Sequence, residues 1–267
     1  MVKVQCMARI TEMAELADGI FSMWLQAQEI AEQAVPGQFI SLYCHDRDRL
    51  LPRPISLCEI DREQGTLRLV YRVVGAGTRE FSRMRSGDAI RIMGPLGNGF
   101  PLEETQSSRT GDEKKKRAVL IGGGIGIPPL LQLAKELTGE VTAVVGYRNS
   151  DTFLLDEWQG EADHVVIATE DGSLGTRGNV IDAIREKKVR GDIVYSCGPT
   201  PMLRGVKAWG LEEGIPAWLS MEERMACGIG ACLGCVCQST EADEHSGVKN
   251  KRVCKDGPVF LSTEIEL

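Results

Sequence analysis

Three closely spaced cysteines carry the most specific chemistry in this sequence. Cys227, Cys232 and Cys235 follow the spacing C-x4-C-x2-C, and Cys254 lies further along the chain. This is the plant-type spacing for a 2Fe-2S cluster, in which four thiolates hold two irons. A structural zinc site usually pairs two knuckles of the form C-x2-C or C-x2-H, and this stretch has only one. The spacing therefore favours an iron–sulfur cluster over zinc, and with it the transfer of single electrons.

A fourth ligand is needed, and two thiols compete for that place. Cys237 lies two residues after Cys235, whereas Cys254 follows a segment rich in Glu, Asp, Lys and Gly. Such a segment can loop back at little entropic cost, because that cost grows slowly with loop length. We therefore prefer Cys254, and Cys237 stays as the alternative.

Two glycine-rich loops are candidates for binding phosphate. Residues 122–129, GGGIGIPP, follow an apolar run and precede a helical pattern. Glycines at such a place let backbone N–H groups approach a phosphate directly. The loop departs from the fingerprint G-x-G-x-x-G, because its sixth position is not glycine. Residues 197–202, CGPTPM, end a second apolar run. A tight turn without a ligand is the alternative for each loop.

Two arginines nearer the N-terminus could also hold phosphate. Residues 53–56, RPIS, place a guanidinium and a hydroxyl on either side of Pro-Ile. Arg72, Gly75, Gly77 and Thr78 form a second basic, glycine-rich corner, with N–H groups at the start of an expected helix. The pair suits a pyrophosphate. A surface arginine beside a routine β-turn is the alternative.

The arginine motifs at residues 53–56 and 72–78 belong to a strand-rich segment, residues 1–103. Short alternating apolar runs occur at residues 39–43, 53–58, 66–74 and 89–92, separated by polar turns. Many short strands in succession predict an antiparallel β-barrel or sandwich. One short helix is expected from Thr78 to Met84, with Thr78 as its N-cap.

The next stretch, residues 104–117, is predicted to be a linker. It contains no large apolar residue and ends in the basic run KKKR. In an acidic chain without aromatics beside it, this run is expected to be a solvated loop rather than a nucleic-acid or lipid patch.

Residues 118–219 have the pattern of an α/β parallel-sheet domain. Nearly continuous apolar runs at residues 118–121, 141–145, 164–168 and 192–196 alternate with helical patterns at 130–137 and 180–187. Strands buried on both faces and alternating with helices predict a parallel sheet. Ligands bind at the carboxyl ends of such strands, so both glycine loops fall on one edge. Residues 220–267 complete an α+β multidomain chain with a small C-terminal cysteine-cluster domain.

Composition limits the classes of function. The chain has 267 residues, with 42% hydrophobic and 26% charged, as in soluble globular proteins. No apolar run approaches 18 residues, so we expect no membrane span. A net charge of −7 argues against nucleic-acid binding. The N-terminus lacks the apolar region of a secretory signal, and nine cysteines then fit the reducing cytoplasm.

The order of these motifs resembles a known family. A small barrel with R-P-I-S, then G-G-G-x-G-x-x-P, then C-G-P-x-x-M, is similar to the ferredoxin–NADP reductase superfamily, which joins a flavin-binding barrel to a nicotinamide-binding α/β domain. The run from Glu222 to Cys235, E-x-R-M-A-C-G-I-G-A-C-x-G-C, resembles the electron-transfer subunits of NAD-dependent dihydroorotate dehydrogenase. The resemblance spans essentially the whole chain and implies FAD, NAD and a 2Fe-2S cluster as cofactors.

The resemblance also implies roles for individual residues. FAD would lie along residues of the barrel, namely Arg53, Pro54, Ile55, Ser56, Val70, Tyr71, Arg72, Gly77 and Thr78. NAD would occupy the two glycine loops, with Cys197 near the nicotinamide, through Gly122, Gly123, Gly124, Gly126, Cys197, Gly198, Pro199 and Met202. The cluster ligands would be Cys227, Cys232, Cys235 and Cys254.

A division of labour between two chains is expected from the same resemblance. None of the histidines, His45, His164 and His245, lies in a site-like constellation, and no catalytic residue for substrate oxidation is assigned. We expect an FMN-containing dihydroorotate dehydrogenase catalytic subunit as the partner, in a heterotetramer of two plus two chains. Electrons would pass from it through the cluster and FAD to NAD⁺, in pyrimidine biosynthesis.

Two other functions remain open, as does the choice of nicotinamide. The chain could be the flavin subunit of a hydrogenase or of a ferredoxin-dependent transhydrogenase, or a non-catalytic, zinc-stabilised binding module. Residues 169–173, TEDGS, offer carboxylates that would repel a 2′-phosphate, which favours NAD. Arg148, after the second strand of the sheet, keeps NADP as the alternative.

Overall fold

Short strands dominate the computed structural model, which describes residues 2–46, 48–103, 116–242 and 247–267. The strands are β1 Val4–Ala17, β2 Ile20–Gln26, β3 Phe39–Tyr43, β4 Arg53–Asp61, β5 Thr66–Arg72, β6 Ala89–Leu96, β7 Ala118–Gly123, β8 Val141–Tyr147, β9 His164–Thr169, β10 Thr176–Arg177, β11 Ile193–Cys197, β12 Ala217–Ser220, β13 Val236–Gln238, β14 Asn250–Arg252 and β15 Val259–Leu261. The helices are α1 Gln28–Ala31, α2 Ala76–Phe81, α3 Leu131–Glu136, α4 Leu155–Glu161, α5 Val180–Lys187 and α6 Thr200–Glu213.

The N-terminal strands close into an antiparallel barrel. Its order is β1-β2-β5-β4-β3-β6, and alternate side chains such as Met23, Leu25, Leu67 and Leu69 fill the interior. Barrel closure leaves no free sheet edge in this region. The barrel predicted from the sequence is confirmed.

The expected helix of the barrel begins earlier than predicted. Helix α2 starts at Ala76 with Gly75 as its N-cap, so the prediction of Thr78 as N-cap is wrong. The Thr78 hydroxyl lies one turn inside the helix and accepts hydrogen bonds from the backbone N–H groups of Val74 (3.0 Å) and Gly75 (3.2 Å). A side chain inside the first turn therefore satisfies the N–H groups just before the helix.

A seven-stranded sheet forms the second part of the fold, in the order β10-β9-β8-β7-β11-β12-β15. All neighbouring pairs from β10 to β12 are parallel, as the apolar runs predict. Strand β15 is antiparallel to β12 and comes from the C-terminal segment. Two apolar clusters cover the two faces of the sheet. Helix α5 begins at Asn179, whose side-chain oxygen accepts from the N–H groups of Ile181 and Asp182.

The C-terminal segment leaves the sheet after β12 and returns to it at β15. Between these strands it forms the two-stranded sheet β13–β14 and the cysteine-bearing loops. Most of the predicted linker, residues 104–115, lies outside the described residues. Within the described residues, the helices are too short or too polar to span a membrane.

Candidate functional site

The two glycine loops meet at the carboxyl edge of the parallel sheet. Strands β7 and β11 are hydrogen-bonded neighbours, and Gly122 is the register partner of Cys197. A Cβ at Gly126 would collide with the carbonyl oxygen of Cys197 and lie 2.6 Å from the Gly198 Cα. A Cβ at Gly123 would lie 2.5 Å from the Met202 sulfur. Glycine is required at Gly126 because the two loops pack there backbone to backbone, whereas at Gly123 the close neighbour is the flexible Met202 side chain.

These loops border a cavity of about 500 Å³, which we call the glycine cleft. Of the residues predicted to bind NAD, those on its wall are Gly123, Gly124, Gly126, Gly198, Pro199 and Met202. Gly122 and Cys197 lie behind this wall, where Cys197 is 1% exposed. Backbone N–H groups without side chains in front of them form a cradle that fits a phosphate.

Charged residues stand at the other end of the glycine cleft. Arg148 follows β8 and Glu170 follows β9, and both line the cleft. The backbone of Glu170 is held by a hydrogen bond from its N–H group to the Tyr147 carbonyl (3.2 Å). Asp171 instead accepts from the N–H and hydroxyl groups of Ser173, and these bonds lower the pKa of its carboxyl. Glu170 is thus the carboxylate of this loop that faces a ligand.

A second cavity, of about 310 Å³, opens on the barrel and is called here the barrel pocket. The residues predicted to contact FAD that line it are Arg53, Pro54, Ile55, Ser56, Val70, Tyr71, Arg72 and Thr78. Gly77 lies directly under Arg53, since a Cβ there would be 2.5 Å from the Arg53 Nε. The structure therefore brings together all nine predicted residues, from β4, β5 and α2.

Tyr71 lines the barrel pocket, and within the described part of the chain its buried hydroxyl is an unpaired polar atom. Its ring stacks on Phe21 at 6.2 Å and meets the edge of Phe81 at 6.4 Å. Its hydroxyl is buried and has no hydrogen-bond partner among the described residues. Burial raises the pKa of Tyr71, so the hydroxyl stays protonated and can donate. Buried polar atoms normally have partners, so this one fits a bound molecule in the barrel pocket.

The glycine cleft and the barrel pocket share a boundary formed by Arg72, Ile125 and Glu222. Glu222 remains open to the cavities, yet the surrounding walls desolvate its carboxyl and raise its pKa. Burial, followed by the charge of Glu222, raises the pKa of Cys197, so that thiol stays protonated. Molecules in the two cavities would meet at this boundary.

Sequence reasoning missed several residues of the barrel pocket. Met221, Glu222, Glu223, Met225 and Pro258 line it, although they belong to the C-terminal segment. The available signal was the motif E-x-R-M-A-C itself, whose first five positions precede the first thiol. These five residues run from near the end of β12 past the barrel pocket to the cysteines.

The four predicted cluster ligands come together as two pairs of thiols. The Cys232 side chain acts on the Cys227 thiol and that of Cys235 acts on the Cys254 thiol, and the Cys254 N–H also donates to the Cys235 sulfur (3.4 Å). Among the residues in the described ranges, no three His, Cys, Asp or Glu side chains group closely enough to hold one metal ion. Two thiolates for each of two irons is the requirement of a 2Fe-2S cluster, so the pairs fit that cofactor better than a single zinc.

Backbone N–H groups surround these thiols. Cys227 accepts from Ile229 (3.5 Å) and Ala231 (3.3 Å), and Cys254 accepts from Gly230 (3.1 Å). Burial acts to raise the pKa of Cys227, but these N–H groups and the Cys232 thiol outweigh it and lower the pKa to about 6. Donors aimed at sulfur stabilise the thiolate form that a metal requires at Cys227, whereas burial and the neighbouring Cys235 outweigh the Gly230 donor and raise the pKa of Cys254 to about 12.

Cys237 occupies a different environment from the four paired thiols. It lies on β13 opposite Lys251 of β14, and its side chain is 6% exposed. Burial raises its pKa, with a further contribution from the charge of Glu223. Its placement within a strand pair explains its burial without a ligand role.

The cysteine loop packs against the barrel. A Cβ at Gly228 would lie 3.1 Å from the Ser41 hydroxyl and 3.5 Å from Leu96. Ser41 is the register partner of Pro54, which lines the barrel pocket. Met225, two residues before Cys227, lines the same pocket. The thiol pairs are thus next to the barrel pocket on one side of it.

The two histidines in the described part of the chain lie away from both cavities. The side chain of His45 is 58% exposed beside Glu80, and that of His164 is 65% exposed beside Glu140. Neither lines the glycine cleft or the barrel pocket. His245 lies outside the described residues.

Barrel, parallel sheet and cysteine loops together define a class: oxidoreductases with separate domains for FAD, NAD and an iron–sulfur cluster. Three family models match accordingly, an oxidoreductase FAD-binding domain at residues 9–100, an oxidoreductase NAD-binding domain at 120–208, and the iron–sulfur cluster binding domain of dihydroorotate dehydrogenase B at 222–266. The three predicted cofactor-binding domains are confirmed. The chain belongs to the family of electron transfer subunits of dihydroorotate dehydrogenase B, which its curated relatives share over nearly their whole length.

An electron transfer subunit of dihydroorotate dehydrogenase B (NAD(+)) from Listeria monocytogenes serotype 4a is 43% identical, over 99% of this chain and 100% of the relative. The corresponding subunit of a Geobacillus species is 42% identical over 94% and 95%. Among solved structures, one of an NADH-dependent reduced ferredoxin-NADP oxidoreductase matches with a TM-score of 0.83 and 30% identity, over 98% of this chain and 90% of that chain. A ferredoxin NADP+ reductase from Neisseria gonorrhoeae shares the fold, with a TM-score of 0.64 and 17% identity over 79% and 92%.

Proposed function

We propose that this chain passes electrons from a dihydroorotate-oxidising partner through a 2Fe-2S cluster and FAD to NAD⁺. The observation that carries the proposal is the contact between three sites. The cysteine loop packs on the barrel beside the barrel pocket, and that pocket shares the boundary of Arg72, Ile125 and Glu222 with the glycine cleft. Electron transfer between bound cofactors requires that their sites be adjacent. The cysteine loop, the barrel pocket and the glycine cleft meet this requirement.

We assign the cluster to Cys227, Cys232, Cys235 and Cys254, with residues 220–267 as its domain. The pairing of these thiols and the N–H groups aimed at them support this set. We assign residues 1–103 to FAD and residues 118–219 to NAD, joined by the linker 104–117. Strand β15 completes the sheet of the NAD domain from within the cluster domain.

FAD, when bound, exchanges single electrons with an iron–sulfur centre and a hydride with a nicotinamide. The residues of this chain would hold FAD and NAD in place. Arg53 and Arg72 line the barrel pocket and would supply cations for the pyrophosphate, and the buried Tyr71 hydroxyl, unpaired among the described residues, would be available to donate to FAD. Gly123, Gly124 and Gly126 hold the NAD phosphates by their N–H groups. The buried, protonated Cys197 and the boundary residue Glu222 flank the junction of the two cofactors.

The partner in this proposal is an FMN-containing catalytic subunit, in an assembly of two plus two chains. The exposed part of the cysteine loop supports a partner on this side, because Cys232 and the apolar Leu233 are exposed there, Leu233 at 64%. The chain has all nine cysteines as free thiols, which supports placement in the reducing cytoplasm.

A second candidate function follows from one comparison. The structural match to an NADH-dependent reduced ferredoxin-NADP oxidoreductase covers 98% of this chain at 30% identity. The chain could then serve in a ferredoxin-dependent transhydrogenase. NADPH formation from NADH and reduced ferredoxin by the complex isolated from cells would favour this function over the first.

The test begins with the purified chain. We expect a brown-yellow protein with two irons and one FAD per chain, which reduces a dye rapidly with NADH and leaves dihydroorotate unchanged. Addition of the FMN subunit should then give dihydroorotate-dependent NAD⁺ reduction. A colourless protein would refute the cofactor assignment, and dihydroorotate turnover by this chain alone would refute the division of labour.

A further inference from the structure

Arg252 joins the two segments that carry the proposed cluster ligands. It lies two residues before Cys254, and its Nη1 donates to the Gly230 carbonyl at 3.1 Å. Gly230 lies in the loop between Cys227 and Cys232. One guanidinium therefore fixes the position of the first ligand loop relative to the segment of the last ligand.

The carbonyl that Arg252 binds belongs to a peptide whose other end faces a thiol. The Gly230 C=O and the Ala231 N–H form one planar trans unit and point in opposite directions. That N–H donates to the Cys227 sulfur at 3.3 Å. The N–H of Gly230 itself donates to the Cys254 sulfur at 3.1 Å. Arg252 thus orients the peptide whose N–H donates to Cys227, and the peptide just before it donates to Cys254.

Gly230 can serve both thiols because of its backbone conformation. Its φ is +86°, a region that residues with a Cβ rarely adopt. A Cβ there would also lie 2.7 Å from the Lys255 side chain. Arg252 contacts the carbonyl of this residue and so adds a side-chain restraint on its following peptide plane.

Asp256 holds Arg252 in turn. Its two carboxylate oxygens accept from the Arg252 Nε (3.1 Å) and Nη2 (3.3 Å), and one of them also accepts from the Arg252 backbone N–H (2.7 Å). Both side chains are about 70% shielded from solvent, with exposures of 29% and 31%. The guanidinium plane is therefore fixed, and Nη1 is aimed at Gly230.

We propose that Arg252 is a positioning residue that raises the reduction potential of the cluster; the inference rests on the proposed ligand set. A charge-assisted hydrogen bond to the Gly230 carbonyl polarises the peptide and strengthens the N–H bond to sulfur at its other end. Hydrogen bonds to the ligand sulfurs stabilise the reduced cluster, which carries one more negative charge, and so set its potential.

The test compares Arg252→Met, Arg252→Lys and the unchanged chain, each purified with its cofactors. A redox titration followed by electron paramagnetic resonance measures the cluster potential, and an iron assay measures cluster content. We expect Arg252→Met to lower the ratio of reduced to oxidised cluster about tenfold at a fixed potential, a shift of about 59 mV to more negative values. Arg252→Lys should recover part of this shift, because its ammonium still donates to Gly230. Arg190→Gln, which breaks an ion pair with Glu213 on the NAD domain, is the matched control.

The outcomes are distinguishable. A full iron content with an unchanged potential in Arg252→Met overturns the inference. If Arg252→Met loses iron, Asp256→Asn loosens the guanidinium while keeping the Gly230 donor. Loss of the Asp256 charge alone would raise the potential, so a shift to more negative potential supports the inference, and an unchanged or more positive potential overturns it. A wild-type chain without a 2Fe-2S signal would refute the proposed ligand set itself, before any variant is compared.

Discussion

The glycine cleft and the barrel pocket are adjacent but built by opposite means. The glycine cleft is defined by missing side chains, since a Cβ at Gly126 would collide with the backbone of the second loop. The barrel pocket is defined by side chains that project into it, such as Arg53 and Tyr71. The first site therefore tolerates no added atom at Gly126, whereas the second can lose single groups and be weakened in steps.

Gly126→Val tests the glycine cleft and should have the largest effect on activity. The added side chain must displace the carbonyl of Cys197, which belongs to the backbone and cannot rotate away. A misplacement of about 1 Å near the reacting groups costs about 100-fold in rate, so we expect that loss in NADH-dependent dye reduction, with FAD content unchanged. Gly160→Ala in α4, where a Cβ meets open space, should keep full activity. A Gly126→Val enzyme with normal NADH kinetics would contradict the proposed packing.

Arg53→Gln tests the barrel pocket, where the loss of one group should weaken FAD binding only in part. A hydrogen bond to a charged group contributes about 1.5–3 kcal/mol, so FAD should bind about 10–100-fold more weakly. Recovery of flavin fluorescence on dilution measures this affinity. Arg185→Gln, at an exposed ion pair with Glu212, is the control and should bind FAD normally. Equal weakening in both variants would remove the special role of Arg53.

Glu170→Gln asks whether a side chain also sets selectivity at the far end of the glycine cleft. Two charges about 4 Å apart in water interact by about 1 kcal/mol, so removal of the carboxylate should reduce the preference for NADH over NADPH about fivefold. Asp171→Asn should leave the ratio unchanged, because that carboxylate is bound to Ser173. Measured rates with the two nucleotides decide between these residues, and a larger effect of Asp171→Asn would reverse the assignment.

Tyr71→Phe should have the smallest effect and separates FAD binding from folding. The hydroxyl has no partner among the described residues, so its removal should not lower the thermal stability of the FAD-free protein. FAD affinity should fall about threefold, near the lower end of what one hydrogen bond contributes. Thermal unfolding with and without FAD measures both quantities. A loss of stability confined to the FAD-free form would show that the hydroxyl serves the protein alone.

The sequence predicted best where one element determines its own pattern. Strands β7, β8 and β11 are buried on both faces, so each is a nearly continuous apolar run, and α5 was predicted at its observed limits. Strands β1 and β2 were not predicted. Strand β1 exposes much of its length and pairs with β6, far along the chain, so its pattern is mixed. Local periodicity does not record such distant pairing.

The C-terminal residues that line the barrel pocket could not be predicted from the sequence either. Glu222 and Met225 reach the barrel pocket because the chain crosses the barrel between β12 and the cysteines, a path set by tertiary packing. The second pairing of thiols, Cys235 with Cys254, likewise depends on how β13 and β14 align. Residue types indicated the chemistry of these positions, but only the path of the chain shows which cavity they border.

Strand β15 has a consequence for the order in which the protein is made. Chains emerge from the ribosome N-terminus first, and their domains fold as they appear. The sheet of the NAD domain keeps an open edge at β12 until Val259–Leu261 has emerged, after every cysteine of the chain. Unpaired sheet edges are sites of aggregation and of recognition by other chains. A ribosome that stops early therefore releases an unfinished sheet, so the cell completes the nicotinamide domain only in chains that already carry the means to bind their iron.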